Sequence, residues 1–336
     1  LNTLGVDASV RTYDGDTEKE AKRAIRKDAD IIITNFAALN HYLPHHHKWR
    51  RLYTNLELVV TDESHNYTGI QGMHTSWIIR RLKRVIRDYQ SYPQYVCSTA
   101  TIGNPKEHSQ RLLNEEFTVV SNDGSPRGKR DIGLWAPPGV QSPLDDSQRS
   151  ATSEIAEVAT HLAKSGVQTL CFVRSRQGVE VAAKRARNAA ANHPDNTPIT
   201  VQPYHAGLSK RRRKEVEREI QSGAIDCVFS TSALELGIDI GGIDATVVGG
   251  YPGTRQSFWQ QIGRAGRGTD DSLSVFVTKE SAMDQYINEH PAYLLEDDVE
   301  DAVISLSNNT VYAKHVLCAA EELPLTSDDI GGLGSE

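Results

Sequence analysis

No run of about eighteen apolar residues occurs in this chain of 336 residues, so no membrane-spanning helix is expected. There is no Cys-x-x-Cys pair. Cys97, Cys171, Cys227 and Cys318 are far apart, which removes a common zinc-site spacing and leaves buried free thiols in a reducing cytosol as the expectation. A Gly-x-x-x-x-Gly-Lys-Ser/Thr phosphate loop is absent throughout. The chain opens Leu1-Asn2-Thr3-Leu4, with no initiator Met and no signal-peptide pattern; it is expected to be cytoplasmic and to be entered mid-domain. A basic excess is missing too, since 37 Lys and Arg face 44 Asp and Glu for a net charge of −7. That balance hides a split: residues 281–336 carry −11, which leaves +4 on residues 1–280. Binding of a polyanion is therefore permitted without being demanded.

A hydrophobic content of 38% and a charged content of 24% describe a globular chain long enough for two domains. Short β-branched apolar runs alternate with helix-like stretches. Strands are expected at Ile31–Thr34, Leu56–Thr61, Gln94–Ser98, Thr169–Val173, Ile225–Ser230, Ala245–Val248 and Ser274–Val277. Helices are expected at Thr17–Asp28, Met73–Tyr89, Ser153–Ser165, Gly178–Ala191 and Lys210–Ser222. The alternation predicts an α/β fold of parallel sheets flanked by helices. The turn-rich stretch Ser121–Ser150 marks a linker or an edge excursion. Domains are expected at 1–135 and 136–280, with 281–336 opening a third element.

Asp62-Glu63-Ser64-His65 ends an apolar run, which places two carboxylates at the C-terminal end of a strand, where ligands of open α/β sheets sit. Asp62 suits Mg²⁺ held through water, and Glu63 suits orientation and deprotonation of an attacking water. His65 can report nucleotide state to neighbouring loops. Ser98 and Thr99 follow the next strand with hydroxyls that can bridge the Asp-Glu loop, or merely cap a helix. Arg174 and Arg176 end another strand and suit phosphate or a solvated edge. Ser230–Asp239 leaves a strand and turns through Gly237; Thr231 suits nucleic-acid phosphate, and Asp239 a ribose or the arginine segment. In Gln260-Gln261-Ile262-Gly263-Arg264-Ala265-Gly266-Arg267, two arginines three apart would point the same way on a short helix and clamp a γ-phosphate. Gln260 lies one turn earlier, within reach of the nucleotide or its water. His45-His46-His47, with no Cys nearby, reads as a solvated loop, and the basic helix around Arg80–Arg84 as packing. The ordered set reads as a nucleotide-driven motor on nucleic acid.

These segments together resemble a superfamily 2 helicase core of the DExH type. Asp62–His65 resembles motif II, Ser98–Ala100 motif III, Val173–Arg176 motif IV, Ser230–Asp239 motif V and Gln260–Arg267 motif VI. The resemblance narrows to the MrfA-type DNA helicases through Tyr13-Asp14-Gly15-Asp16-Thr17, Ile33-Thr34-Asn35-Phe36, Asn66–Gly69, Tyr251–Thr254, Asp284-Gln285-Tyr286 and Glu322–Leu325. It implies two RecA-like domains with ATP and Mg²⁺ in the cleft between them, the first domain incomplete at its N-terminus. It also implies 3′-to-5′ movement on single-stranded DNA in DNA repair, by a monomer. DNA contacts are implied for Tyr13, Asp16, Thr17, Thr34, Asn35 and Thr231. Three departures stand out: the phosphate loop, expected before residue 1, is missing; the family's C-terminal zinc cysteines are missing; and motif II carries Ser64 where Ala or Val is common. The chain is accordingly expected to be a fragment that turns over ATP poorly by itself. An RNA helicase and a non-catalytic nucleic-acid-binding module remain open, because motifs that touch sugar-phosphate do not exclude RNA.

Overall fold

A computed structural model describes residues 5–126, 128–137, 150–235, 241–266, 269–296, 298–327 and 329. The chain forms two compact units, residues 1–120 with 301–336, and residues 121–300. In the first unit, β1 (Val10–Thr12), α1 (Lys19–Asp28) and β2 (Ile31–Ile33) form one parallel pair, followed by α2 (Phe36–Tyr42) and α3 (Arg50–Thr54). A second parallel pair is β3 (Leu58–Thr61) and β4 (Gln94–Cys97), joined by α4 (Gly69–Asp88) and followed by α5 (Pro105–Leu113). The register sets Thr61 opposite Cys97, so Asp62 and Ser98 leave the sheet side by side. Along these strands Ile31, Ile33, Leu58, Val60 and Val96 are exposed.

The second unit contains β5 (Arg130–Trp135), α6 (Ala151–Lys164), β6 (Thr169–Val173), α7 (Arg176–Ala191), β7 (Val201–Tyr204), α8 (Lys210–Gln221), β8 (Cys227–Ser230), β9 (Ala245–Gly249), α9 (Arg255–Ile262), β10 (Ser272–Val277), α10 (Ala282–Glu289) and α11 (Ala292–Leu295). Its sheet is parallel throughout, in the order β5-β10-β9-β6-β8-β7. From β6 the chain runs outward to β7 and back through β8, then crosses to β9 and β10 on the other side. The order therefore reverses between β6 and β9, and the C-terminal ends of those strands form the crevice where such sheets bind ligands. Both faces of the sheet are covered. Leu170 and Phe172 join a core with Val216, Ile220, Phe258 and Ile262, while Cys171 and Val173 join one with Ala156, Ala159, Ala182 and Ala183. Small alanines let α6 and α7 lie close on the sheet, and Ser150 and Ser175 cap their first turns. Cys171 and Cys227 are buried free thiols, as expected.

The unit boundaries differ from the expected 135 and 280. Arg130–Trp135, within the turn-rich stretch, is an edge strand on β10, and residues from 301 onward pack on the first unit. Val201–Tyr204 was hidden by Pro203, which the outermost strand of the sheet tolerates. The expected solvated loop at His45–His47 is instead a 3₁₀ segment, Leu43–Trp49. There His46 is half-buried, its Nδ1 2.8 Å from the Tyr89 hydroxyl and its Nε2 3.0 Å from the Glu322 carbonyl. Among the described residues no His, Cys, Asp and Glu cluster could hold a metal ion. No described helix is long and apolar enough to cross a membrane.

The last helix, α12 (Asn309–Glu322), packs on α4 through a buried polar network. The Arg81 guanidinium donates from Nε to both Glu322 carboxylate oxygens, at 3.1 and 3.2 Å, and from Nη1 to Asn40 Oδ1 at 2.6 Å. Arg81 Nη1 also lies 3.1 Å from His315 Nδ1, and His315 Nε2 lies 3.0 Å from His74 Nδ1. A donor on Nδ1 requires that nitrogen to be unprotonated, so His315 is neutral with its proton on Nε2. Burial first, then Arg81 and His74, push its pKa down from 6.5 to about 4. The unfolded chain therefore takes up a proton below pH 6.5 that the fold refuses until about pH 4. Stability is expected to fall across that window, by on the order of 2–3 kcal/mol in all. His315→Gln should flatten this slope in chemical denaturation at pH 4.5 and 7; an unchanged slope would assign it to other groups.

Candidate functional site

In the first unit the chemistry gathers at the joint end of β3 and β4. Glu63 adopts a left-handed conformation (φ 51°, ψ 42°), uncommon for a non-glycine residue. The turn is pinned from both strands. Ser98 N–H donates to Thr61 O at 3.0 Å, Ser64 N–H to Ser98 O at 2.9 Å, and Glu63 N–H to Asp62 Oδ1 at 3.0 Å. The Ser98 hydroxyl donates to Asp62 Oδ1. Asp62 is exposed, and both of these side-chain bonds fall on Oδ1.

His65 joins the two segments. It is buried, its Nδ1 accepts from Ala100 N–H at 2.9 Å, and the Thr99 hydroxyl lies 3.4 Å from the same atom. The proton must then sit on Nε2, which lies 3.3 Å from Glu63 Oε2. Burial is the largest cause holding the imidazole below its ordinary pKa; His108 adds to it and Asp62 opposes it. A neutral ring is what this pair of contacts requires. His108 supports the loop from beneath, its Nε2 2.9 Å from Ser64 O, and was not foreseen from sequence. The Ser64 hydroxyl is buried with no partner, so the Ser for Ala or Val exchange adds no contact here.

Tyr13–Thr17 and Thr34-Asn35 lie together at the ends of β1 and β2. Tyr13 N–H donates to Ile33 O at 2.8 Å and the Thr34 hydroxyl to Tyr13 O at 2.7 Å. Asp16 and Asn35 are exposed; Thr17 bonds Asp14, and Asn35 caps α2. Tyr13, expected to contact nucleic acid, does not present its ring. Its side chain is 1% exposed and packs edge-on against Tyr42 and Trp49, so what it presents is backbone.

In the second unit a crevice of about 120 Å³ lies at the β6–β9 switch point, lined by Arg174, Ser232, Glu235, Gly250, Ser257 and Gln261 among others. Arg174 and Arg176 are exposed at the end of β6 and the start of α7. Thr231 follows β8, and its hydroxyl accepts from Ala233 N–H at 3.4 Å. Gln260 lies half-buried on α9. The arginine segment is not the expected short helix. The helix α9 ends at Ile262, Gly263 caps it, Ala265 bridges to Ile243, and Gly266 turns with φ 68°. Two glycines so close break the helical spacing on which the paired arginines relied. Arg264 is half-buried, with Nη2 donating to Glu235 O at 2.5 Å. Arg267 and Asp239 lie outside the described residues.

The sequence reading passed over Glu235. Its carboxylate is buried and accepts from the Ser257 hydroxyl at 2.7 Å and from Gln261 Nε2 at 2.9 Å. Ser257 and Gln261 are four apart on α9, a spacing that puts them on one face and was available in the sequence. Another carboxylate, Glu300, accepts from the Arg255 and Gln256 amides at the start of α9, at 2.8 and 3.2 Å.

Comparison with known proteins agrees with this arrangement. The model of the DEAD/DEAH box helicase family matches residues 1–108, and that of the helicase conserved C-terminal domain matches residues 152–269. The chain is 40% identical over 330 residues to the ATP-dependent helicase YprA of Bacillus subtilis, covering 98% of this chain and 44% of YprA. It is 37% identical over 328 residues to the ATP-dependent helicase HRQ1 of Saccharomyces cerevisiae, covering 95% of this chain and 30% of HRQ1. The crystal structure of the helicase MrfA bound to DNA and AMPPNP superposes with a TM-score of 0.91 at 39% identity, over 99% of this chain and 46% of MrfA. The chain thus spans less than half the length of these relatives. With both family models matching in order, and with the six-stranded parallel sheet and flanking helices of RecA-like domains, the chain belongs to the superfamily 2 DEAD/DEAH box helicases, of MrfA type.

Proposed function

We propose that the full-length protein is an ATP-dependent helicase that moves 3′-to-5′ along single-stranded DNA in DNA repair. The observation that carries the reading is the path from Glu63 through the neutral His65 to the backbone of Ala100. It ties the residue suited to activating water to the segment that follows the neighbouring strand. Glu63 orients the attacking water and takes its proton onto a carboxylate oxygen. Asp62 suits Mg²⁺, which neutralises developing phosphoryl charge when bound. Arg264 supplies positive charge for the transferred phosphoryl group, a role the proposal extends to Arg267. Gln260 and Asp239 belong to the same set. Ser98 and Thr99 couple the Asp-Glu turn to its neighbours. The strand ends at Tyr13, Asp16-Thr17, Thr34-Asn35, Arg174, Arg176 and Thr231 are assigned to the nucleic-acid backbone.

Support for DNA comes from relatives: MrfA was crystallised with DNA and with AMPPNP. The domain assignment follows the same reading: a RecA-like domain around β1–β4, a second around β5–β10, and an accessory element after it. The test is ATP hydrolysis and strand separation by the full-length protein. Hydrolysis is expected to rise with single-stranded DNA and not with RNA, and only 3′-tailed duplexes should open. Stimulation by RNA alone would move the substrate, and no hydrolysis with either polymer would overturn the proposal.

A further inference from the structure

A buried carboxylate is costly unless its oxygens are taken by donors. Glu235 meets that condition with two donors from one helix face. Ser257 Oγ donates to Oε1 and Gln261 Nε2 to Oε2, while Gln261 Nε2 also lies 3.3 Å from Ser257 Oγ. The same residue's carbonyl accepts from Arg264 Nη2 at 2.5 Å. One residue after β8 thus holds the helix leading to the arginine by its side chain, and the guanidinium itself by its backbone. Among the described residues Gln261 Oε1 is buried without a partner, so the two bonds from Nε2 orient that amide. The Thr254 cap and the Glu300 carboxylate hold only the opposite end of α9. At the C-terminal end, where Gly263 releases the chain from the helix, Glu235 supplies the side-chain anchor.

We propose that Glu235 is the positioning residue for Arg264: it locks the C-terminal half of α9 to the segment after β8 and thereby sets where the guanidinium stands. The inference rests on the proposed ATP hydrolysis. It predicts a loss confined to turnover, because the hydrogen bonds described for Glu235 run to Ser257, Gln261 and Arg264 and reach neither Asp62 nor Glu63.

In the full-length protein with saturating single-stranded DNA, Glu235→Ala is expected to lower kcat by about 10²-fold, the scale of a displaced catalytic group. The KM for ATP and the affinity for a fluorescent oligothymidine should stay within about twofold. Adding Glu235→Ala to Arg264→Ala should cost nothing further, because the two act as one unit. Glu235→Gln, which keeps shape and one acceptor, should lose less. Wild-type kcat in Glu235→Ala, or losses that multiply with those of Arg264→Ala, would overturn the inference. So would a lowered melting temperature with normal turnover. If Glu235→Ala does not fold, Glu235→Gln and Gln261→Ala carry the test, and wild-type kcat in both would overturn it. Absence of hydrolysis in the wild type defeats the underlying reading instead, and is seen before any variant is made.

Discussion

Glu63→Gln in the full-length protein is expected to lower DNA-stimulated ATP turnover by about 10²–10⁴-fold, the usual contribution of a positioned base. Binding of a fluorescent ATP analogue should be retained. The fold gives no reason for collateral damage. The Glu63 side chain is 40% exposed, and its contact to His65 needs only an acceptor, which the Gln carbonyl oxygen supplies. The left-handed backbone at residue 63 is no harder for Gln than for Glu, so the melting temperature should barely move. Loss of turnover would then report the proton acceptor rather than the scaffold. Undiminished hydrolysis would remove Glu63 from its role and turn attention to Asp62. Asp62→Asn offers the contrast, since it should weaken nucleotide binding as well, through the cation.

The largest expected effect on stability lies away from that site. Arg81 and Glu322 form an ion pair whose side chains are 1% and 0% exposed. Glu322→Ala leaves a guanidinium buried against Asn40 and a neutral imidazole, with no carboxylate in contact. Removing one partner of such a pair costs about 3–5 kcal/mol. For a unit of this size that lowers the melting temperature by roughly 6–20 °C. Differential scanning calorimetry of the full-length protein should show the first unit melting early and the second unchanged. Arg81→Met combined with Glu322→Leu should recover much of the loss, because it removes both desolvated charges together. A melt within about a degree of wild type in Glu322→Ala would mean that water reaches Arg81.

Much of the second unit was legible because its strands are buried on both faces. An unbroken run such as Thr169–Val173 has no other way to be satisfied, and strand and prediction coincide. Edge strands lack that signature: Arg130–Trp135 is mostly polar at its start, and Val201–Tyr204 contains Pro203. The Asp-Glu turn and Ser98 were legible because a carboxylate pair after an apolar run has few purposes. The helical spacing expected for the arginine segment does not extend past Ile262, because Gly263 ends α9 and Gly266 turns with positive φ. Tyr13 sits between an acidic turn and a strand, where an aromatic serves core or ligand equally well, and its packing on Tyr42 and Trp49 was not visible in the sequence. Glu235 was passed over because a glutamate in a motif looks solvated until the fold removes its water. His46 and Arg81 were illegible for a shared reason, since their partner Glu322 is hundreds of residues away.

That separation has a consequence for how the chain comes off the ribosome. Arg81 and Glu322 are 241 residues apart, with the whole second unit between them. At about 5–20 residues per second, roughly 10–50 s pass between the synthesis of the arginine and that of its counter-charge. Within that interval every strand of the second unit is made, and only then does Arg81 meet Glu322. The first unit, begun before the second, can thus be completed only after the whole second unit has been synthesised.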